Sequence, residues 1–283
     1  MHRILFGFFT MALVLSCSDS TGAEDDGPLG PIGGQDDETY YEKEEGAVRL
    51  VSYNVGAFSK SMENSSPVVA SMMKEIEADA VVMNELDRNN DRHNYDQLAE
   101  FAESMGWSCF FGKAMDYRNG EYGNGMAYGK DLAVVDKFVI SLPKQTGSED
   151  RSCVVVEFVD FVFAGTHLEV KTVQDRIAGV KKITSELKER YGGKDKPVFL
   201  GGDMNSFPDS EVVAELLKDW KMLTPKQPTY PASAPKNCAD YIFAMNAGGP
   251  YRVTSAGVCD RFSSGNVKVT SDHLPVYADI VIE

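Results

Sequence analysis

The chain has 283 residues, and its 43 acidic side chains against 28 basic ones leave a formal net charge of −15. Gripping a long polyanion rests on many Lys and Arg contacts, so this balance argues against a nucleic-acid coat or clamp. No Cys-x-x-Cys pair occurs among the cysteines, which argues against a zinc–thiolate centre.

The N-terminus reads as a processing signal. Met1-His2-Arg3 is a short basic start, and residues 4–15 are apolar but too few to span a bilayer. Val14-Leu15-Ser16-Cys17 resembles a bacterial lipobox, so residues 1–16 are expected to be removed and Cys17 to be lipidated. A plain secretory signal with a chance cysteine is the alternative. Residues 17–46 follow as a tether: from position 18 they hold ten acids, one base (Lys43), six Gly or Pro residues between 27 and 34, and no apolar period. Such composition does not pack. An acidic stretch behind a lipidated cysteine also resembles surface-export signals of Bacteroidetes-type lipoproteins. Export to a membrane, periplasmic or cell-surface, is the expected location.

Residues 47–283 carry 26 basic and 33 acidic side chains, a net of −7, and their length suits one domain. They show no fixed repeat and no second hydrophobic span. Cys109, Cys153, Cys238 and Cys259 are an even number in an exported chain, which permits two disulfides of open connectivity.

Along the domain, residues 48–55 alternate as a half-buried strand, and Ser66-Pro67 opens a helix striped by Val69, Met72, Met73 and Ile76. Residues 79–85 read as a buried strand ending in Asn84 and Glu85. Leu98, Phe101, Ala102 and Met105 mark a second helix that stops at Gly106. A β-rich middle follows at 107–112, 125–128, 132–140, 153–158 and 161–166, with Val159-Asp160 as a hairpin tip. Val173, Ile177, Val180, Ile183 and Leu187 give a long amphipathic helix ended by Gly192-Gly193. Residues 197–200 form a buried strand, and Ser210 or Asp209 caps a helix over 211–218. Strands at 239–244, 252–258 and 274–282 complete the chain. The order is α/β, and two mixed β-sheets packed face to face with helices outside absorb the count.

Between the strand at 197–200 and the helix at 211–218 lies Gly201-Gly202-Asp203-Met204-Asn205-Ser206. It is either an ordinary Asx turn or a turn whose carboxylate and carboxamide reach a ligand. Polar residues recur at other strand mouths: Asn54, Glu85, His167, Asp240, Asp272 and His273. Each alone has a structural explanation, but so many at strand ends point to one site. Carboxylates and amide oxygens suit a hard cation, Mg²⁺ or Mn²⁺, and two histidines beside it suit a phosphate.

The ordered set Ser52-Tyr53-Asn54-Val55, Asn84-Glu85, Tyr122-Gly123-Asn124, Glu149-Asp150-Arg151, Thr166-His167-Leu168, Gly202-Asp203-Met204-Asn205-Ser206, Ala239-Asp240-Tyr241-Ile242-Phe243 and Ser271-Asp272-His273-Leu274-Pro275 resembles the endonuclease/exonuclease/phosphatase superfamily, the fold of DNase I. The resemblance covers residues 47–283 and implies a four-layer sandwich and a metal-dependent phosphohydrolase. It implies that Glu85, with Asn54 and Asp272, holds the metal. Asp203 would orient or deprotonate the attacking water, and Asn205 would donate to phosphoryl oxygens. His273, held by Asp240, and His167 would stabilise the transition state, with Asn124 orienting His167. Arg151 is placed near the site, as a substrate contact or a structural ion pair.

Three features depart from the family pattern. Asn84 stands where many members carry Gln, Gly125-Met126-Ala127-Tyr128 replaces a commoner strand, and Lys236-Asn237-Cys238-Ala239 lacks the Trp-x-Asp-Arg type stretch of inositol 5-phosphatases. The expected reaction is hydrolysis of a phosphodiester in a small molecule, a lipid headgroup or nucleic acid, with the small or lipid-borne ester favoured by charge. An extracytoplasmic DNase-like nuclease and a non-catalytic surface binding module or metal-binding structural lipoprotein on the same fold are the rivals. No protein partner is inferred.

Overall fold

The computed structural model describes residues 40–283, so the signal segment, Cys17 and most of the tether lie outside the described residues. Residues 40–46, read as the end of the tether, lie against the domain. The Tyr41 hydroxyl accepts from the Asp260 and Arg261 amides, and Lys43 pairs with Asp79 at 2.9 Å.

The chain runs β1 (Val48–Asn54), α1 (Ser66–Glu75), β2 (Ala80–Arg88), α2 (Gln97–Met105), β3 (Ser108–Tyr117), β4 (Gly120–Tyr128), β5 (Val134–Ser141), β6 (Ser152–Phe158), β7 (Val162–His167), α3 (Val173–Tyr191), β8 (Val198–Asp203), α4 (Glu211–Leu216), β9 (Trp220–Met222), β10 (Asp240–Met245), β11 (Tyr251–Val258) and β12 (Val276–Ile282). Twelve strands make two six-stranded mixed sheets, ordered β11-β12-β1-β2-β4-β3 and β5-β6-β7-β8-β10-β9.

The period-2 alternation of each strand decides which face it shows. In β1 and β2, Leu50 and Val82 point inward and meet Phe163, Phe199 and Ile242 of the opposite sheet. Their neighbours Val51, Tyr53, Val81 and Met83 point outward and are covered by Val69, Met72 and Met73 of α1 and Leu98 and Phe101 of α2. The second sheet repeats this plan: Ala164, Leu200, Tyr241 and Phe243 lie under Val180, Ile183 and Leu187 of α3 and Val212, Val213 and Leu216 of α4. The result is helix, sheet, sheet, helix. Burying each such side chain contributes about 1.5–3 kcal/mol, and that contribution is what holds four layers together.

The helix ends follow local chemistry. Asp96, Thr172 and Ser210 each accept a backbone N–H at an N-cap, while Gly106 closes α2 in the left-handed region. Three elements differ from expectation. The β3 and β4 arms run well past residues 112 and 125, because Lys113, Asp116 and Glu121 break the apolar alternation while the pairing resumes beyond a register shift between Lys113 and Met115. The three-residue β9 is too short to carry a period. Among the described residues the four cysteines are free thiols, three of them buried, so the disulfides that their number permitted do not form. Cys259 packs in one outer core, Cys153 and Cys238 in the other, as small apolar residues. No helix among the described residues is long and apolar enough to cross a membrane.

Candidate active site

Strand parity builds the site. In β1, β2, β7, β8 and β10 the inward-facing positions at one end are Asn54, Asn84, His167, Asp203 and Asp240. Register then aligns them: Asn54 pairs with Asn84 across β1–β2, and His167, Asp203 and Asp240 sit side by side across β7–β8–β10. Apolar positions deeper in the sandwich seal its floor, so polar side chains at the same parity emerge only where the sheets open.

Close approach of the sheets requires small residues below this row. A Cβ at Gly165 would overlap the Val82 side chain of the opposite sheet; at Gly202 (φ +152°) one would run into the Thr166 carbonyl of the neighbouring strand β7, so that glycine serves close pairing within its own sheet. Glu85 has the wrong parity for the inner row. A break in the β2–β4 register between Met83 and Leu86, with Glu85 at φ 60°, redirects it into the cleft. Asn205 likewise sits at φ 45°. Side-chain residues held in this left-handed region mark places where the fold pays for a particular aim.

Asn84 clamps the sheets together. Its Nδ2 donates to Asn124 Oδ1 and to the Thr166 carbonyl, both at 3.0 Å, and its Oδ1 accepts the Asp203 amide at 3.1 Å. Asn124 Nδ2 donates in turn to the Ser152 carbonyl. Asn124 therefore supports the clamp and not the His167 ring, which was its expected partner. The residue beside that ring is Arg151, whose NH1 lies 3.1 Å from His167 Nδ1. A guanidinium can only donate, so Nδ1 accepts and the ring proton resides on Nε2. Burial, then the charges of Arg151, His273 and Lys60, push the His167 pKa well below its usual value. His167 is a neutral ring that aims an N–H at the cleft.

Asp203 Oδ2 is the centre of the cluster. His167 Nε2 lies 3.5 Å from it, His273 Nε2 3.6 Å, and Asn54 Nδ2 donates to it at 3.0 Å. Burial raises the Asp203 pKa to about 6, with repulsion from Asp240 adding and His273 opposing. His273 donates from Nδ1 to Asp240 Oδ2 at 2.8 Å, and Thr229 donates to the same oxygen at 2.6 Å. Burial disfavours the charged imidazolium, but Asp240 and Asp203 outweigh it and lift the pKa to about 10. The two histidines thus differ: His273 is a cation, His167 is not.

Glu85 Oε2 and Asp272 Oδ2 each lie 3.4 Å from Lys60 Nζ. Two carboxylates converging on one ammonium mark a cation position, and such hard oxygen donors fit Mg²⁺ or Mn²⁺. Asn54, expected among the ligands, hydrogen-bonds within the site. Its Oδ1 accepts the Gly56 amide at 3.1 Å, and its Nδ2 faces Glu85 Oε1 at 3.2 Å and Asp203. Its Nδ2 thus tethers two carboxylates, while its Oδ1 keeps one lone pair beyond the Gly56 bond. Asp203, Asp240 and His273 offer a second group of atoms within 4.8 Å of one another that could hold a metal. A charged His273 with Nδ1 committed to Asp240 competes with that use.

Asn205 donates its amide to Asp203 Oδ1 and one Nδ2 hydrogen to the Leu168 carbonyl, which leaves its second Nδ2 hydrogen for a ligand. Lys60, Glu85, Arg151, His167, Asp203, Asn205, Asp272 and His273 border a cleft of about 680 Å³, whose walls add Arg92, Arg176, Tyr117, Tyr122, Phe207 and Tyr230, while Asn54, Asn84, Asn124 and Asp240 act from behind them. Of the six only Tyr122 was singled out from sequence, as part of the Tyr122-Gly123-Asn124 motif. Phe207 and Tyr230 stand out in the structure as exposed large apolar side chains, Phe207 at 55% directly after the Asp203–Ser206 turn.

A buried carboxylate between two histidines, beside a second pair of carboxylates, thus lies at one mouth of a DNase I-like sandwich of two mixed sheets. The sequence matches the Endonuclease/Exonuclease/phosphatase family over residues 51–273, and the chain belongs to that family. None of the curated proteins matches it in sequence. Among solved structures it is similar to a mannosyl-6-phosphatase from Bacteroides thetaiotaomicron (18% identity, 83% of this chain and 99% of that one, TM-score 0.68). It is also similar to an endonuclease/exonuclease/phosphatase from Bacteroides vulgatus (19%, 84% and 99%, TM-score 0.68) and to the human Nocturnin catalytic domain with bound sulfate (19%, 84% and 96%, TM-score 0.65). Identities this low speak for the fold.

Proposed function

We propose that the chain is a divalent-metal-dependent hydrolase of a small or lipid-borne phosphodiester, exported and anchored to a membrane through Cys17. The observation that carries the reading is Asp203: a buried carboxylate with its pKa near 6, flanked by two imidazole Nε2 atoms and by the Glu85–Asp272 pair. At neutral pH it accepts a proton from a water held between it and the phosphorus. The water oxygen–phosphorus bond forms as the ester bond opposite breaks. His273, charged, and His167 Nε2–H donate toward the phosphoryl oxygens, where negative charge gathers. Asn205 has a spare donor for the same oxygens. Glu85 and Asp272 would hold the Mg²⁺ or Mn²⁺, which when bound neutralises phosphoryl charge.

Two aromatic side chains border the cleft, Tyr230 at 4.8 Å from the His273 ring and Phe207, and each offers an apolar wall to an ester substituent, which supports the diester reading. The domain's net −7 gives duplex DNA little long-range attraction. A Bacteroides structure with this fold is a mannosyl-6-phosphatase, which adds a sugar phosphate to the panel.

The test is kcat/KM with Mg²⁺ and with Mn²⁺ for bis-(p-nitrophenyl) phosphate, glycerophosphodiesters, phospholipids, sugar phosphates and plasmid DNA, with Asp203→Asn as control. Turnover of a small diester lost in the variant supports the reading. Plasmid nicking faster by a wide margin would make the chain a nuclease, and no turnover at all would leave a binding module.

A further inference from the structure

A second cleft of about 390 Å³ adjoins the reaction cleft, and the two share Arg176, Asn205 and Phe207 as walls. Arg176 lies in the first turn of α3. Its NH1 donates to the Glu169 and Val170 carbonyls at 2.9 and 2.8 Å, which fastens the guanidinium to the loop before the helix. Its Nε is buried and has no partner among the described residues. The other cleft arginines differ: Arg92 is paired with Asp87 and Arg151 with Glu149, whereas Arg176 has no carboxylate within ion-pair distance among the described residues. Ser206 also borders the second cleft. It is 4% exposed, and its Oγ is likewise buried without a partner. Its carbonyl is taken by the Tyr241 hydroxyl.

Arg176 Nε and Ser206 Oγ are buried without a partner among the described residues, on side chains that border the second cleft, and buried polar groups in folded proteins are otherwise paired. Val173 and Gln174 at the start of α3 line the same space, and Glu211 is the only acid among the described residues that line it. An unpaired guanidinium in a partly desolvated place is complementary to an anion, and its planar fork suits a carboxylate or phosphate. Resting on the phosphoester reading above, we propose that Arg176, Ser206 and Phe207 form an anion subsite for a second charged group of the substrate. Asn205 borders both clefts, so that group lies one moiety from the reacting phosphorus, with Phe207 as an apolar plate beside it. The substrate class is a phosphoester whose ester group carries a carboxylate or a further phosphate.

The probe pair is 3-phosphoglycerate and glycerol 3-phosphate, which differ by one carboxylate. Both are titrated calorimetrically into the full chain with Mg²⁺. A charge-assisted fork is worth about tenfold or more in affinity, so wild type is expected to bind 3-phosphoglycerate at least tenfold tighter. Arg176→Met is expected to erase the difference, Arg176→Lys to keep part of it, and Ser206→Ala to reduce it. Circular dichroism checks that each variant is folded, and the Lys variant stands in if Met is not. Equal affinities in wild type, no saturable binding of either probe, or a preference that survives loss of the guanidinium each overturn the subsite. Turnover of bis-(p-nitrophenyl) phosphate is read separately, so an active enzyme with no such preference refutes the subsite and leaves the phosphoester reading standing.

Discussion

Asp240→Asn isolates the pairing that keeps His273 charged. The carboxylate stands 2.8 Å from His273 Nδ1 and is the largest influence raising the ring's pKa to about 10. The amide keeps the size and can still accept from Thr229, so the fold should survive. Asp203 and Asp272 continue to favour the imidazolium, so the pKa should fall only part of the way toward 6.5. A group whose pKa is raised on folding contributes stability that is complete below the unfolded value and vanishes as pH climbs through the folded value. His273 thus stabilises the native state fully below about 6.5 and loses that contribution through about 10. At pH 8 the two separating units amount to about 3 kcal/mol, shared among all the carboxylates around the ring. Removing the principal one should cost about 1–2 kcal/mol at pH 8 and progressively less toward pH 10. In kcat/KM, losing a charge stabiliser costs about 10²–10³. The alkaline limb of the pH–rate profile should also move down from near 10. Because Asp240 acts through the ring, Asp240→Asn/His273→Ala should lose little more than His273→Ala. The assays are chemical denaturation from pH 6 to 10 and bis-(p-nitrophenyl) phosphate turnover over the same range. An unmoved alkaline limb, or simple additivity in the double variant, would refute the reasoning.

Four further outcomes follow from the geometry. Asp203 must be ionised to take a proton, so kcat/KM should rise with pH through about 6 and level above it; a rate that stays flat down to pH 4 would exclude Asp203 as the base. Glu85→Gln removes half of the Glu85–Asp272 pair, so calorimetry should show Mg²⁺ affinity lost in a folded chain, and excess EDTA should abolish wild-type turnover. Asn84→Ala cuts three buried hydrogen bonds, two of which join the sheets, with an expected loss of about 2–4 kcal/mol and a lowered melting temperature; a neutral effect would show that the clamp is dispensable. Cys17→Ser should shift the chain from the membrane to the soluble fraction or leave an uncleaved precursor, as mass spectrometry of the N-terminus would establish.

Local periodicity in the sequence carried the layer plan. The spacing of Val69, Met72, Met73 and Ile76, or the alternation through residues 48–55, reports which face of an element is buried, and that is a property of one element by itself. The same patterns put polar residues at strand mouths, and their order along the chain pointed to the family. What those patterns cannot report is the partner across a gap between sheets. Nothing in residues 79–85 says that Asn84 reaches Thr166 and Asp203, or that a register break turns Glu85 inward. Arg151 sets the His167 tautomer from a loop 16 residues away, a role the sequence reading had assigned to Asn124. Lys60, Arg176 and Phe207 reach the cleft from separate loops and helices, and no spacing rule joins them. Tertiary structure decided these matters because register, bulges and loop closure depend on interactions between elements distant in sequence, whereas periodicity is settled within each one.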